Sequence, residues 1–174
     1  MAIATVVLGI DPGTTHTGYG VITEAQGYLT ALDWGVISPR PSLTLPEKLQ
    51  TIYTSLQAYI EVHHPDTMAV EALFFAKNVR SAVTLAHARG VALLSAAAAG
   101  LAVAEYSPLE VKQAVVGYGR AHKRQVQAMV QVILHLREPP AQEDAADALA
   151  VALCHLQGQR VRTALASRAT RGQI

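Results

Sequence analysis

The chain has one cysteine, Cys154, and so cannot close a disulfide within itself. That excludes the small secreted scaffolds held together by cystine frameworks and suits a reducing compartment. Aromatic residues make up only 5% of the chain and charged residues 16%, against 51% hydrophobic residues, a balance opposite to that of disordered proteins. No apolar run is long enough for a bilayer span. The longest, Val91 to Ala104, is interrupted by Ser95 and Gly100 and reads as a buried helix followed by a strand. The N-terminus lacks the basic start and small-residue cleavage site of a signal peptide, since an apolar strand reaches Asp11 almost at once. A cytoplasmic protein is therefore expected. No internal repeat is visible, and 174 residues suffice for one domain with a sizeable core.

Neither sign of charge dominates, the net being +1, but the charges are segregated. Lys77, Arg80, Arg89, Lys112, Arg120, Lys123, Arg124 and Arg137 fall in a stretch whose acids are Glu105 and Glu110. The C-terminal residues add Arg160, Arg162, Arg168 and Arg171. Such a distribution suits a polyanion gripped beside a local acidic site, although solvated helix faces would give the same composition.

The stretch that organises the chain runs from Val6 to Gly20. Val6, Leu8 and Ile10 alternate with Val7, Gly9 and Asp11, so both sides of this strand are largely apolar, as in a central strand covered on both faces. A glycine-rich turn, Pro12-Gly13-Thr14-Thr15-His16, leads into a second strand ending near Glu24, and Gln26-Gly27 turns the chain into a third, Leu29 to Ile37. The pattern Thr44-Leu45-Pro46-Glu47 opens a helix with an apolar stripe of Leu49, Ile52, Tyr53, Leu56, Tyr59 and Ile60. A strand, Thr67 to Glu71, follows. A helical crossover between strands favours parallel pairing, which would bring Glu71 to the same sheet end as Asp11. The pattern then predicts a helix over Ser81–Ala99, a fifth strand over Leu101–Tyr106, and a short helix from a capping box at Ser107 to Val116. Further helices are predicted over Ala121–Leu136 and from about Gln142 to Gln157. The expectation is an α/β domain over residues 1–157, a five-stranded mixed sheet with helices on both faces, and a basic flexible tail over 158–174.

Asp144 and Asp147 are three residues apart and share a face of the last predicted helix. With Asp11 and Glu71 they make four carboxylates at positions that the topology brings together. Singly, each has a bland explanation: a turn residue, a surface acid, a helix-start residue. Jointly they repel one another, and a hard divalent cation such as Mg²⁺ or Mn²⁺ removes that cost. Two such ions, one beside an attacking water and one beside a leaving 3′ oxygen, would suit phosphodiester hydrolysis.

These stretches resemble the RuvC family of Holliday-junction resolvases, from Val7 to Leu156. The resemblance rests on several matches: Gly9-Ile10-Asp11-Pro12-Gly13 with Thr17-Gly18-Tyr19-Gly20-Val21-Ile22; Glu71 with Phe74, Ala76-Lys77-Asn78, Ser81-Ala82 and Ala88-Arg89-Gly90; Val111-Lys112-Gln113 with Val115-Val116-Gly117; Lys123 with Gln125-Val126; and Asp144-Ala145-Ala146-Asp147-Ala148-Leu149-Ala150. It implies a ribonuclease H-like fold and paired, metal-dependent nicks that leave ligatable 5′-phosphate and 3′-hydroxyl ends. It also implies a homodimer acting on four-way junction DNA with the RuvA and RuvB branch-migration proteins. By the same resemblance Asp11, Glu71, Asp144 and Asp147 are the catalytic metal-binding acids. Phe74 would stack on a base near the crossover, although the residues leave open whether it or Phe75 faces the DNA. Lys112 and Lys123 would act on the junction. Lys77, Asn78, Arg80, Arg89 and Arg124 are candidate DNA contacts. His16 reads as a surface-turn histidine, with contact to a metal or phosphate as the alternative, and His155 is expected to be structural. The alanine-rich helix Ser81–Ala99 is a candidate for the dimer interface.

Two other readings compete. The Asp11 turn also resembles the phosphate loop of actin-like ATPases and sugar kinases, which need a second such domain and a second loop that this chain lacks. A non-catalytic junction-binding module would keep the basic residues but not need all four acids, which are present.

Overall fold

The computed structural model describes residues 4–72 and 79–171, and the side chains among them except those of 79–81 and 161–171. Strands β1 (Thr5–Asp11), β2 (Thr17–Ala25) and β3 (Tyr28–Ile37) form an antiparallel meander. Helix α1 (Leu45–His63) then crosses to β4 (Thr67–Glu71), and α2 (Val79–Ala98) to β5 (Ala102–Tyr106). Helices α3 (Pro108–Val116), α4 (Lys123–Ile133) and α5 (Glu143–Arg171) complete the chain. The sheet order is β3-β2-β1-β4-β5, with β4 parallel to both β1 and β5. This is the expected mixed sheet, with α1 and α2 on one face and α3, α4 and α5 on the other.

Local sequence explains most of the boundaries. At α1, Glu47 Oε2 accepts from the Thr44 backbone N–H at 2.7 Å, and His64 in the left-handed region closes the helix. At α3, Ser107 and Glu110 make the reciprocal pair, with Pro108 in the first turn and Gly117 at φ 90° as the stop. Helix α4 is shorter than its apolar pattern suggests, since His135 takes a positive φ just past its end.

Helix α5 departs most from expectation. It does not stop at Gln157 but runs through Gly158 to Arg171. A lone glycine in a helix costs only about 1 kcal/mol relative to alanine. Just beyond it Arg160 is held by the Glu24 carboxylate at 2.7 Å and the Gly27 carbonyl at 3.0 Å, tying this part of the helix to the β2–β3 turn.

The two faces of the sheet are built differently. On one, Leu8, Ile10, Val21, Met68 and Val70 meet Ile52, Leu56 and the alanines Ala88, Ala92 and Ala96 through ordinary side-chain packing, and Tyr19 stacks on Tyr59 with ring centroids 4.0 Å apart. On the other, three glycines leave the sheet bare. Gly9 and Gly20 are register partners, and Gly18 pairs with Asp11. A Cβ on Gly9 would lie 2.8 Å from the Ala152 nitrogen, and one on Gly20 2.8 Å from Leu149 Cδ2; one on Gly18 would collide with the Asp144 carbonyl. The fully buried Ala148 and Ala152 complete this seam from the helix side.

Overpacking at such a seam has no soft neighbour to absorb it. Gly9→Ala is expected to destabilise the protein by about 1–3 kcal/mol, read as a lower urea midpoint with an unchanged m-value.

Candidate active site

Asp11 and Glu71 end adjacent parallel strands. Ile10 is the register partner of Val70, so the next residues along stand side by side, about 4.8 Å apart across the ladder. Both follow the alternation that sends Gly9 and Ala69 toward α5, so both carboxylates lie on the α5 face. The glycine seam brings the first turns of α5 to the same place. The Asp144 backbone rests on Gly18, directly across from Asp11, and Asp147 lies one turn further on. Asp11, Glu71 and Asp147 line a cleft of about 230 Å³ together with Lys112 and Lys123; Pro108, Val111 and Val126 form its apolar walls.

The electrostatics are those of crowded acids short of water. Burial pushes Asp11 up to about 8, and the negative charges of Glu71, Asp147 and Asp144 add to it. Burial also raises Glu71, offset by its hydrogen bond with Asp11, so the two carboxyls hold a proton between them. Asp147 is raised by burial and held back by Lys123. Lys123 Nζ sits 3.3 Å from Asp147 and 3.7 Å from Glu143, which is one turn earlier on α5. Among the described residues, no three acid, histidine or cysteine side chains stand in position to hold a metal ion. The donor set nevertheless suits a hard divalent cation. It is all oxygen and partly desolvated, and its negative charge is compensated by one lysine contact and a proton.

Lys112 lines the cleft and its charge lowers Glu71. Arg124 is exposed beside Lys123 at the start of α4. Arg89 is elsewhere: it pairs with Glu105, and both lie on the α2 face of the sheet, opposite to the carboxylates. Phe74, Lys77 and Asn78 lie outside the described residues, as does the Arg80 side chain. His16 Nδ1 is 3.0 Å from Ser38 Oγ. His155 is buried between the Tyr106 hydroxyl at 2.9 Å and Gln159 at 2.8 Å, which agrees with a structural role. Cys154 is no nucleophile, since burial pushes its thiol up to about 11. Sequence reading missed Glu143 as a partner of Lys123, although its spacing of four from Asp147 was visible. It also missed the cleft walls, whose signal was the Ser107 cap that sets Pro108 and Val111 in place.

A mixed sheet of this order, with carboxylates at the ends of two neighbouring parallel strands and acids on a helix laid across them, defines a nuclease of the ribonuclease H-like class. The family model for crossover junction endodeoxyribonuclease RuvC matches residues 7–155. The chain is 53% identical over 165 residues to the RuvC of Syntrophomonas wolfei, covering 95% of this chain and 96% of that one. It is 54% identical over 149 residues to the RuvC of Heliobacterium modesticaldum, covering 86% and 92%. The structure matches T. thermophilus RuvC in complex with Holliday junction substrate at a TM-score of 0.86 and 37% identity, covering 91% of this chain and 97% of that one. The yeast mitochondrial Holliday junction resolvase, at 14% identity and a TM-score of 0.61 over 85% of this chain and 76% of that one, shares the fold. The chain belongs to the RuvC family of endonucleases. Divalent metal dependence comes with that membership.

The raised Asp11 gives a pH signature to the metal-free protein. The folded state holds this proton up to about pH 8, whereas an ordinary aspartate releases it near 3.8. Between those values the folded state binds the extra proton, so stability falls as pH rises. Unfolding by urea in EDTA is expected to show a midpoint that declines from pH 4 to pH 8. Asp11→Asn should flatten that decline and be the more stable protein at pH 8.

Proposed function

We propose that this protein resolves Holliday junctions by paired, symmetry-related phosphodiester cuts made with Mg²⁺ or Mn²⁺, two ions per site. The observation that carries this reading is the meeting of Asp11, Glu71 and Asp147 in one cleft with Lys112 and Lys123, with Asp144 beside them. Asp11, Glu71, Asp144 and Asp147 would hold the ions. When bound, the ions supply positive charge at the scissile phosphate and activate a water. The residues of the chain do the rest. The strand ends hold the first two acids on a rigid base. Loss of the shared Asp11–Glu71 proton makes both carboxylates donors. Lys123, freed from Asp147, and Lys112 can then face the extra negative charge of the pentavalent phosphate. Burial beneath α5 keeps these charges strong by excluding water from one side.

A four-way junction is two-fold symmetric and each chain supplies one site, so the reading requires an isologous homodimer. Val83 and Leu94 of α2 support that helix as the interface. They are 51% and 59% exposed and lie three turns apart on one face, with exposed His87 and Gly90 between them. Phe74, Lys77, Asn78, Arg80, Lys112, Lys123 and Arg124 are the residues we assign to DNA. Arg89 would reach it only by giving up Glu105. Action in the cytoplasm beside RuvA and RuvB completes the proposal. No helix among the described residues is long and apolar enough to cross a membrane.

A synthetic mobile four-way junction, with strand ends mapped at nucleotide resolution, tests the reading. Paired nicks are expected in Mg²⁺ or Mn²⁺ and none in EDTA. Asp11→Asn and Asp147→Asn should each slow cutting by at least about a hundredfold, the scale of a lost electrostatic catalytic group. Tight binding without cutting in any metal would instead make the protein a binding module.

A further inference from the structure

The segment from Gly117 to His122 joins α3 to α4. Its two glycines and Ala121 set its course. Gly117 caps α3 with φ 90°, a Cβ on Gly119 would run into the Leu109 side chain, and Ala121 is 2% exposed in the core. Its even positions face outward: Tyr118 is 46% exposed, and Arg120 and His122 are exposed. Lys123 and Arg124 follow at once. The loop runs directly into Lys123, which lines the carboxylate cleft, so Arg120 and Arg124 lie within three residues of a cleft residue along the chain.

The charges here are not balanced locally. Arg89 is paired with Glu105, Arg160 with Glu24 and Lys123 with Asp147. Among the described residues, neither Arg120 nor Arg124 has an ion-pair or hydrogen-bond partner, and α4 has no acid in its first turn. An exposed aromatic two residues before one unpaired guanidinium, with a second in the first turn of the next helix, matches the chemistry of a nucleic-acid strand, with a π-face for a base and cations for phosphates.

We infer that Tyr118, Arg120 and Arg124 form a strand-guiding rail, in which Arg120 and Arg124 bind backbone phosphates flanking the cut and Tyr118 packs on an adjacent sugar or base. This rests on the nuclease reading above and adds to it a surface that positions DNA without touching the scissile phosphate. The rail is read through the salt dependence of binding. Each phosphate contact removed lowers the slope of log K against log salt concentration by about one, whereas loss of stacking leaves the slope unchanged.

The test measures junction binding in EDTA, where cutting cannot intervene, over a range of KCl concentrations. Arg120→Gln and Arg124→Gln are expected to weaken binding at low salt and each to lower the slope by about one. Tyr118→Ala should weaken binding about tenfold with the slope intact, and Tyr118→Phe should bind as the parent does. Arg137→Gln, beyond the end of α4, serves as the surface-charge control, and thermal melts confirm that each variant folds. Slopes for the Arg120 and Arg124 variants that equal the parent's, or that match the Arg137 control, would overturn the rail while leaving the nuclease reading in place. A parent protein that does not bind the junction at all would overturn both.

Discussion

Everything in the site depends on how closely α5 approaches the sheet. Side chains normally hold packed layers well apart, about 10 Å between stacked sheets. Here Gly9, Gly18 and Gly20 remove the sheet's side chains along one track, and the alanines of α5 remove most of the helix's own. The helix backbone therefore lies on the strand backbones, and its acid-bearing first turns come within reach of Asp11. A larger residue anywhere along the seam would lift α5 and move Asp144 and Asp147 away from the strand-end acids. The burial that raises Asp11 to about 8 is the electrostatic side of the same approach.

That approach gathers charges the metal-free protein would otherwise keep apart. Partial compensation comes from within the chain: a proton shared between Asp11 and Glu71, and an ammonium between Asp147 and Glu143. The second is weak, since Lys123 is largely exposed and an exposed pair contributes little. A divalent cation can take over both roles, and both compensations are reversible without unfolding anything. At the start of α4, two cations occupy a helix N-terminus where the dipole disfavours them. Local rules broken side by side in one cleft mark where function has overridden stability.

The opposite face of the sheet is held by local pairs, Arg89 with Glu105 and Asp33 with His63 at 3.1 Å, and Tyr19 stacks on Tyr59. This contrast separates the basic residues. Composition alone ranks Arg89 with Arg120 and Arg124, since all lie in the same positively charged stretch. Only their neighbours in space show that one is a structural partner on the far face and that the others are exposed without an ion-pair partner.

The elements were legible from local chemistry: alternation for β1, caps at Thr44 and Ser107, the crossover that makes β4 parallel, and hence the pairing of Asp11 with Glu71. The i, i+3 spacing of Asp144 and Asp147 was legible too, because helical geometry is set by the residues in the turn. The length of α5 was not, because Gly158 is a weak breaker and the contact that anchors the helix past it, Arg160 to Glu24, spans 136 residues. Nor was the placement of Arg89, the clamp of Glu143 and Asp147 on Lys123, or the outward row of the α3–α4 loop. Sequence determined which residues form each strand and helix and which carboxylates could meet, since periodicity, capping and turn chemistry act over a few residues. Tertiary structure decided how close they come, which cations face them and which are spent elsewhere, since those depend on distances between segments that no local pattern encodes.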